Sequence, residues 1–236
     1  MKTNYYQHSK GISIVELLIS IALGTLIIGS VIEVYLNNKA TYRMQEGFAR
    51  IQENGRYSDF LFNRTLRMAG FQGCNHEQII TVNNLVTAPS VEITFTQPVA
   101  GHEGAGGNWT PALPASLAGN VLANTDAVIV RNASNLYSHL TAAMSTQNQA
   151  VAINNRLGAQ DDDILFITDC EVADIFKASD GTTATSLLHT TADNTSNNLS
   201  KAYQVDAQVM LFQYYAYYVK DTGRVNASGA PIYSLY

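Results

Sequence analysis

Gly11-Ile12-Ser13-Ile14-Val15-Glu16-Leu17-Leu18-Ile19-Ser20-Ile21-Ala22-Leu23-Gly24-Thr25-Leu26-Ile27-Ile28-Gly29-Ser30-Val31-Ile32 decides how the rest of this chain is read. From Ile12 to Ile32 only Glu16 is charged. As a helix, these residues extend roughly 32 Å, enough to cross a bilayer core. A carboxylate near the start of such a helix is costly in hydrocarbon and calls for a reason. An ordinary secretory signal places its cleavage site after a short apolar core. Here the basic leader, with Lys2 and Lys10, precedes a run long enough to stay as a membrane span. A signal anchor that tolerates Glu16 near the interface is the plainest alternative.

The helix is expected to continue past the membrane. No proline occurs before Pro89. Met44, Phe48, Ile51, Gly55, Ser58, Phe62, Leu66 and Ala69 recur at intervals of three and four, the stripe of an amphipathic helix. Gly47 and Gly55 weaken it by up to about 1 kcal/mol each. Gly70 is the expected stop, with Arg64 and Arg67 complementing the helix dipole. This predicts one helix from Ile12 to about Ala69, with a break near Asn37-Asn38 as the alternative.

After Gly70 the pattern becomes β-like. Strands are expected at Gln78–Val82, Val91–Thr96, Ala127–Arg131, Ile164–Thr168, Val172–Phe176, Ser186–His189, Val205–Val219 and Ile232–Tyr236. Val99–Gly119 and Asp193–Ser200 read as surface loops from their Gly/Ala/Pro and Asn/Ser/Thr composition. With 236 residues and 46% hydrophobic content, the part beyond the apolar helix suffices for one ordinary domain with a real core. From Phe71 onward, fourteen acidic residues face six basic ones, a net charge near −8. That argues against nucleic-acid binding by this region, since phosphate recognition rests on Lys and Arg.

The N-terminal residues resemble the class III leader of type IV prepilins and pseudopilins: Gly11 before Ile12, Glu16 fifth in the following segment, and a short basic leader. The resemblance implies cleavage between Gly11 and Ile12 by a prepilin peptidase, then N-methylation of Ile12. Ile12 stands where the family usually has Phe. Glu16 would pair with the new amino terminus of a neighbouring subunit and help set register, which lowers the cost of both charges in apolar surroundings. Small residues at Ser20, Gly24, Thr25, Gly29 and Ser30 suit close helix packing.

Two distant segments resemble the PilW family of minor pilins. One is Arg64-Thr65-Leu66-Arg67-Met68-Ala69-Gly70-Phe71-Gln72-Gly73-Cys74; the other is Asp161-Asp162-Asp163-Ile164-Leu165-Phe166-Ile167-Thr168-Asp169-Cys170. The tail Tyr214–Val219 with Pro231-Ile232-Tyr233 is also similar. The implied fold is α+β, a pilin-like lollipop with a long N-terminal helix packed on a β-rich head. Its parts would be a leader at 1–11, a membrane and fibre-core helix at 12–33, an amphipathic continuation at 34–70, and a head at 71–236. The head is expected to be shortened at its C-terminus, since PilW-like chains commonly run longer. In an exported head, Cys74 and Cys170 read as one disulfide; two unrelated buried thiols are the alternative. Such a link closes a loop of about 95 residues and stabilises by roughly 4 kcal/mol on a chain-entropy model.

The implied role is to help initiate pilus assembly at or near the fibre tip. The implied partners are other minor pilins and the major pilin through the helix, the prepilin peptidase, the inner-membrane assembly platform, and a tip adhesin. The protein would sit in the bacterial inner membrane with its head in the periplasm, and later in the fibre. The alternatives are a minor pseudopilin of a type II secretion system, a tip adhesin or uptake receptor, and a membrane-anchored enzyme. No enzymatic activity, cofactor or metal is expected: the histidines His8, His76, His102, His139 and His189 lack ligand spacing, and no nucleophile or phosphate-loop motif occurs. Asp161-Asp162-Asp163 reads as a solvated turn, with a calcium site as the lesser possibility. Tyr214–Tyr218 reads as a strand with one packed and one exposed face.

Overall fold

In a computed structural model the described residues are 11–73, 80–88, 93–154 and 157–236. The fold class is α+β. One helix, α1, runs without interruption from Ile14 to Arg67, through Asn37-Asn38. Its 54 residues extend about 80 Å. It begins two residues later than the apolar run because Ser13 caps it. It ends where Met68 and Ala69 donate to Thr65 and Leu66 carbonyls, both at 3.1 Å, tightening the last turn. Gly70 then leaves the helix at φ 74°, the expected stop.

The chain forms two compact units, one up to Leu61 and one from Phe62 to Tyr236. The described part of the first is α1 up to Leu61 and the three residues before it; the last turns of α1 belong to the second. None of the residues of α1 is buried. The amphipathic stripe is accordingly open at Met44, Phe48 and Ile51.

The second unit is built on an eight-stranded mixed sheet. Its strands are β1 (Thr81–Asn84), β2 (Val99–Ala105), β3 (Asn108–Thr110), β4 (Ala127–His139), β6 (Ile164–Thr168), β7 (Val172–Lys177), β9 (Gln208–Val225) and β10 (Pro231–Leu235). The order is β1-β7-β6-β9-β4-β2-β3, and β10 also pairs with β9. β1 and β7 are parallel; the other pairs are antiparallel. A separate two-stranded pair joins β5 (Val151–Ala152) to β8 (Ser186–Leu187).

β6 and β7 lie at the middle of the core. Leu165, Phe166, Ile167, Ile175 and Phe176 are all fully buried. That matches their reading as short uninterrupted apolar runs. Two apolar clusters flank this pair. One holds Leu165, Ile167, Phe176, Leu187 and Tyr203; the other holds Phe95, Phe166, Ile175, Met210 and Phe212. A third, with Leu117, Val121, Ala127 and Ile129, takes the half-buried Tyr214, Ala216 and Tyr218 on one face of β9. On the opposite face Tyr217 meets the last turns of α1. Its ring lies 4.4 Å from that of Phe62, and its hydroxyl is 2.5 Å from Thr65 Oγ1. Gly70 N–H donates to Arg131 O and Ala133 N–H to Phe71 O, so the chain leaving α1 continues along the edge of β4.

Three expectations need correction. Val99–Gly119 is not wholly loop: its first part is the β2–β3 hairpin, turned through Gly106 and Gly107 at positive φ. The described part of Val91–Thr96 is not a strand, although Ile93 and Phe95 are core residues. Asp193–Ser200 is not a free surface loop, because Asn194 and Leu199 are buried within it. Its Asn194 Oδ1 accepts the Lys177 N–H at 2.7 Å, and Asn194 Nδ2 donates to Lys177 O at 2.9 Å. That side chain takes the place of a neighbouring strand.

Candidate functional site

The residues singled out at the N-terminus fall at the entry of α1. Gly11, Ile12 and Ser13 precede the helix and are exposed, so the Gly11–Ile12 bond lies in non-helical chain. Ser13 O accepts the first helical bond, from Leu17 N–H at 3.1 Å, and Ser13 Oγ accepts from Val15 N–H at 3.3 Å. Ser13 is therefore the N-cap. Glu16 is the third helical residue and the acidic group of the first turn. Ser13-x-x-Glu16 has the spacing of a capping box, and a carboxylate there also meets the positive end of the helix dipole. The role of Ser13 has a sequence signal in this spacing, one that the reading centred on Glu16 does not use.

Along the apolar half, every hydroxyl is satisfied by the helix itself. Ser20 donates to Glu16 O at 2.7 Å, Thr25 to Ala22 O at 2.9 Å and Ser30 to Leu26 O at 3.0 Å. Such bonds remove the penalty of a bare hydroxyl in hydrocarbon. The helix is long and apolar enough to cross a membrane. Glu16, Ser20 and Gly24 follow one another at four-residue spacing and so share one stripe. A Cβ placed at Gly24 or Gly29 would meet nothing within 4 Å. These glycines thus weaken the helix without serving any packing inside this chain.

In the β-rich unit the acidic run at Asp161–Asp163 is taken up by structural partners. Asp161 Oδ1 accepts from Thr182 N–H at 3.0 Å, Asp163 Oδ2 from Gln160 N–H at 2.9 Å, and Asp162 pairs with Lys177 at 2.5 Å. The three carboxylates are thus spread over three tasks rather than directed at one point. Among the described residues no group of three or more His, Cys, Asp or Glu could hold a metal ion. Cys170 is disulfide-bonded and has φ 72°. Cys74, its expected partner, lies outside the described residues, as do His8, His76 and Lys2.

The most enclosed polar cluster was not foreseen. Asp174, on β7, is fully buried, and its Oδ2 accepts from Ser200 N–H at 2.9 Å, Ser200 Oγ at 2.6 Å and Tyr203 Oη at 2.8 Å. Burial, together with the Asp174 charge, pushes the Tyr203 phenol up. Nearby, His189 is buried against Phe176, with ring centroids 5.3 Å apart and Nε2 3.0 Å from Gln149 O. A carbonyl only accepts, so Nε2 carries the proton. Burial pushes the imidazole below its ordinary value, outweighing the backbone hydrogen bonds at Gln149, Asn197 and His189 and the Asp174 charge, which raise it. Lys201 closes the same segment onto Asp169. Burial raises Asp169, but the hydrogen bonds from Lys201 and from the Val172 and Glu171 amides outweigh it, leaving that carboxyl below its usual range. These groups tie the segment between β8 and β9 to the sheet; Asp174, His189 and Tyr203 are buried, and the Lys201–Asp169 pair is partly exposed.

No family model matches this chain, and neither curated proteins nor solved structures yielded a match. The class defined by the structure is therefore physical: an N-terminal apolar helix able to span a membrane, joined to a disulfide-bonded β-rich unit.

Proposed function

We propose that this chain is a minor type IV pilin resembling the PilW family, and a substrate of a prepilin peptidase rather than an enzyme. The observation that carries the proposal is the helix entry. A Gly11–Ile12 bond in exposed, non-helical chain leads into a capped apolar helix with Glu16 in its first turn and no buried residue. A helix whose apolar residues from Ile14 to Ile32 all lie exposed requires an apolar environment from elsewhere. A membrane supplies it before assembly, and neighbouring pilin helices supply it afterwards. Other minor pilins, the major pilin and the inner-membrane assembly platform are the partners on this reading. The protein begins in the inner membrane with its β-rich unit in the periplasm and ends at or near the fibre tip.

Mass spectrometry of the mature protein tests this directly. The expected N-terminus is methylated Ile12, and an intact Met1 leader in assembled fibres overturns the proposal. Glu16→Ala is expected to cut incorporation into fibres at least tenfold while membrane insertion persists. Normal piliation in that variant removes the registry role. A deletion strain scored for piliation, twitching and secretion separates the two closest systems. Lost secretion with intact pili reassigns the chain to a type II secretion pseudopilus.

A further inference from the structure

Lys39 and Arg43 are the first cations beyond the apolar run, and α1 carries them without a break. Together with Tyr35 and Tyr42 they follow one another at i, i+4, i+7 and i+8. That spacing places all four within about 100° of the helix circumference. All four residues are exposed, the two tyrosines at 62% and 68%. Neither cation forms an ion pair among the described residues, whereas Arg50 further along is taken by Glu46 at 2.6 Å. The nearest carboxylate on the membrane side, Glu33, lies about 120° round the helix from Lys39.

The neighbourhood of this face identifies what it meets. Leu17–Leu36 makes about 30 Å of helix, the thickness of the hydrocarbon core of a bilayer. In that frame Glu16 stands at one interface and Tyr35 at the other. Only Glu33 is charged inside it, and it lies within one turn of the boundary, from where a side chain reaches the interface. Asn37 and Asn38 follow directly, and Lys39 and Arg43 stand about 4.5 and 10 Å beyond Leu36, beside the headgroup layer. Tyrosine suits this depth because its ring is apolar and its hydroxyl stays wet.

Charge narrows the partner further. From Phe71 onward the net charge is near −8, so an attraction to anionic lipid has its source in this helix segment and not in the β-rich unit. We propose that Tyr35, Lys39, Tyr42 and Arg43 form a binding face for the headgroup phosphate of anionic phospholipids, in the leaflet where α1 leaves the bilayer. The two cations attract the phosphate charge, and the tyrosine hydroxyls donate to its oxygens. Glu16 then rests at the opposite interface in contact with water, so its carboxylate escapes the full cost of hydrocarbon while the chain is in the membrane. The inference rests on the membrane-span part of the reading above and on nothing specific to pilins.

The test uses the full-length chain in phosphatidylcholine vesicles that carry nitroxide-labelled phosphatidylglycerol or, separately, nitroxide-labelled phosphatidylcholine. Electron paramagnetic resonance reads how much of each labelled lipid is held at the protein surface. Phosphatidylglycerol is expected to be favoured about threefold or more at low salt, with the preference shrinking near 0.5 M salt. Lys39→Gln combined with Arg43→Gln is expected to bring the two lipids to parity, and Lys39→Arg combined with Arg43→Lys to retain the preference. Trp109 fluorescence verifies folding of each variant. Equal retention of both lipids by the unaltered chain, or an undiminished preference in the folded double-glutamine variant, overturns the proposal. The span is checked separately with a nitroxide at Ile27→Cys, which is expected to be shielded from a water-soluble nickel chelate, and at Ala40→Cys, which is expected to be open to it. A shielded Ile27 position without lipid preference overturns this inference alone; an Ile27 position open to the chelate overturns the span reading and this inference with it.

Discussion

Leu23 and Ile27 in α1 are chemically interchangeable with Leu165 and Ile167 in β6, yet the two regions treat them in opposite ways. The helical pair is more than half exposed, whereas the strand pair is fully buried. In the β-rich unit the apolar side chains have each other: Leu165 and Ile167 share one cluster and Phe166 enters another. In α1 they have no partner from the helix itself, since an isolated helix cannot bury all its faces at once. Polar groups divide along the same line. The hydroxyls of Ser20, Thr25 and Ser30 turn back onto their own helix, whereas Asp174, Asn194 and Tyr203 bond residues distant in sequence. The β-rich unit is thus stabilised by what it encloses, and α1 depends on what encloses it.

The contrast can be broken experimentally, and the largest effect belongs to the enclosed side. Phe166→Ala removes a fully buried ring that packs 5.1 Å from Phe95. It is expected to destabilise the β-rich unit by about 3–5 kcal/mol. Trp109, the only tryptophan, reports the transition in thermal or denaturant unfolding. A loss below about 1 kcal/mol would contradict the packing described.

A smaller effect concerns pH. Because the His189 imidazole is held below its ordinary value, the folded chain binds this proton less readily than the unfolded chain. Stability is therefore expected to fall as pH drops through about 6.5 toward the lower folded value. Asp169 contributes separately and later. Its carboxyl is also held low, so its share is lost only as pH falls through and below the ordinary carboxylate range. His189→Gln can still donate to Gln149 O, and it is expected to flatten the unfolding midpoint between pH 7 and 5. An unchanged slope in that variant would remove His189 from the account.

The smallest effect is expected in α1. Leu23→Ala should move the Trp109 transition by less than about 0.5 kcal/mol, because no neighbour in the chain covers Leu23. A larger shift would show that the helix is not energetically separate from the β-rich core.

The two regions were not equally readable from the amino-acid order. α1 was legible because its signal is local: one apolar run, no proline, and a stripe of period 3.6 ending at Gly70. β6 and β7 were legible for a similar reason, since central strands read as unbroken apolar runs. The β2–β3 hairpin escaped because Gly101 and Gly104 interrupt any alternation. At Gly104 the backbone passes so near Thr125 that a Cβ would lie 2.3 Å from its carbonyl oxygen. The segment around Asn194 escaped because it is fixed by side-chain bonds to backbone groups, which leave no periodic trace. Of the candidate site, Gly11, Ile12 and Glu16 were legible as a motif. Ser13 carries a sequence signal too, its capping-box spacing to Glu16, whereas the Asp174–Tyr203–His189 cluster joins positions that only the fold brings together.

The back-bonded hydroxyls of Ser20, Thr25 and Ser30 have one further consequence. A helix that leaves lipid for protein surroundings usually has to exchange hydrogen-bond partners on the way. Here those three hydroxyls make the same bonds in either medium, so transfer between the two involves apolar contacts at these positions and no new polar chemistry. At Ser20, Thr25 and Ser30 a change of surroundings therefore exchanges contacts and leaves the hydrogen bonds in place, which sets them apart from Glu16.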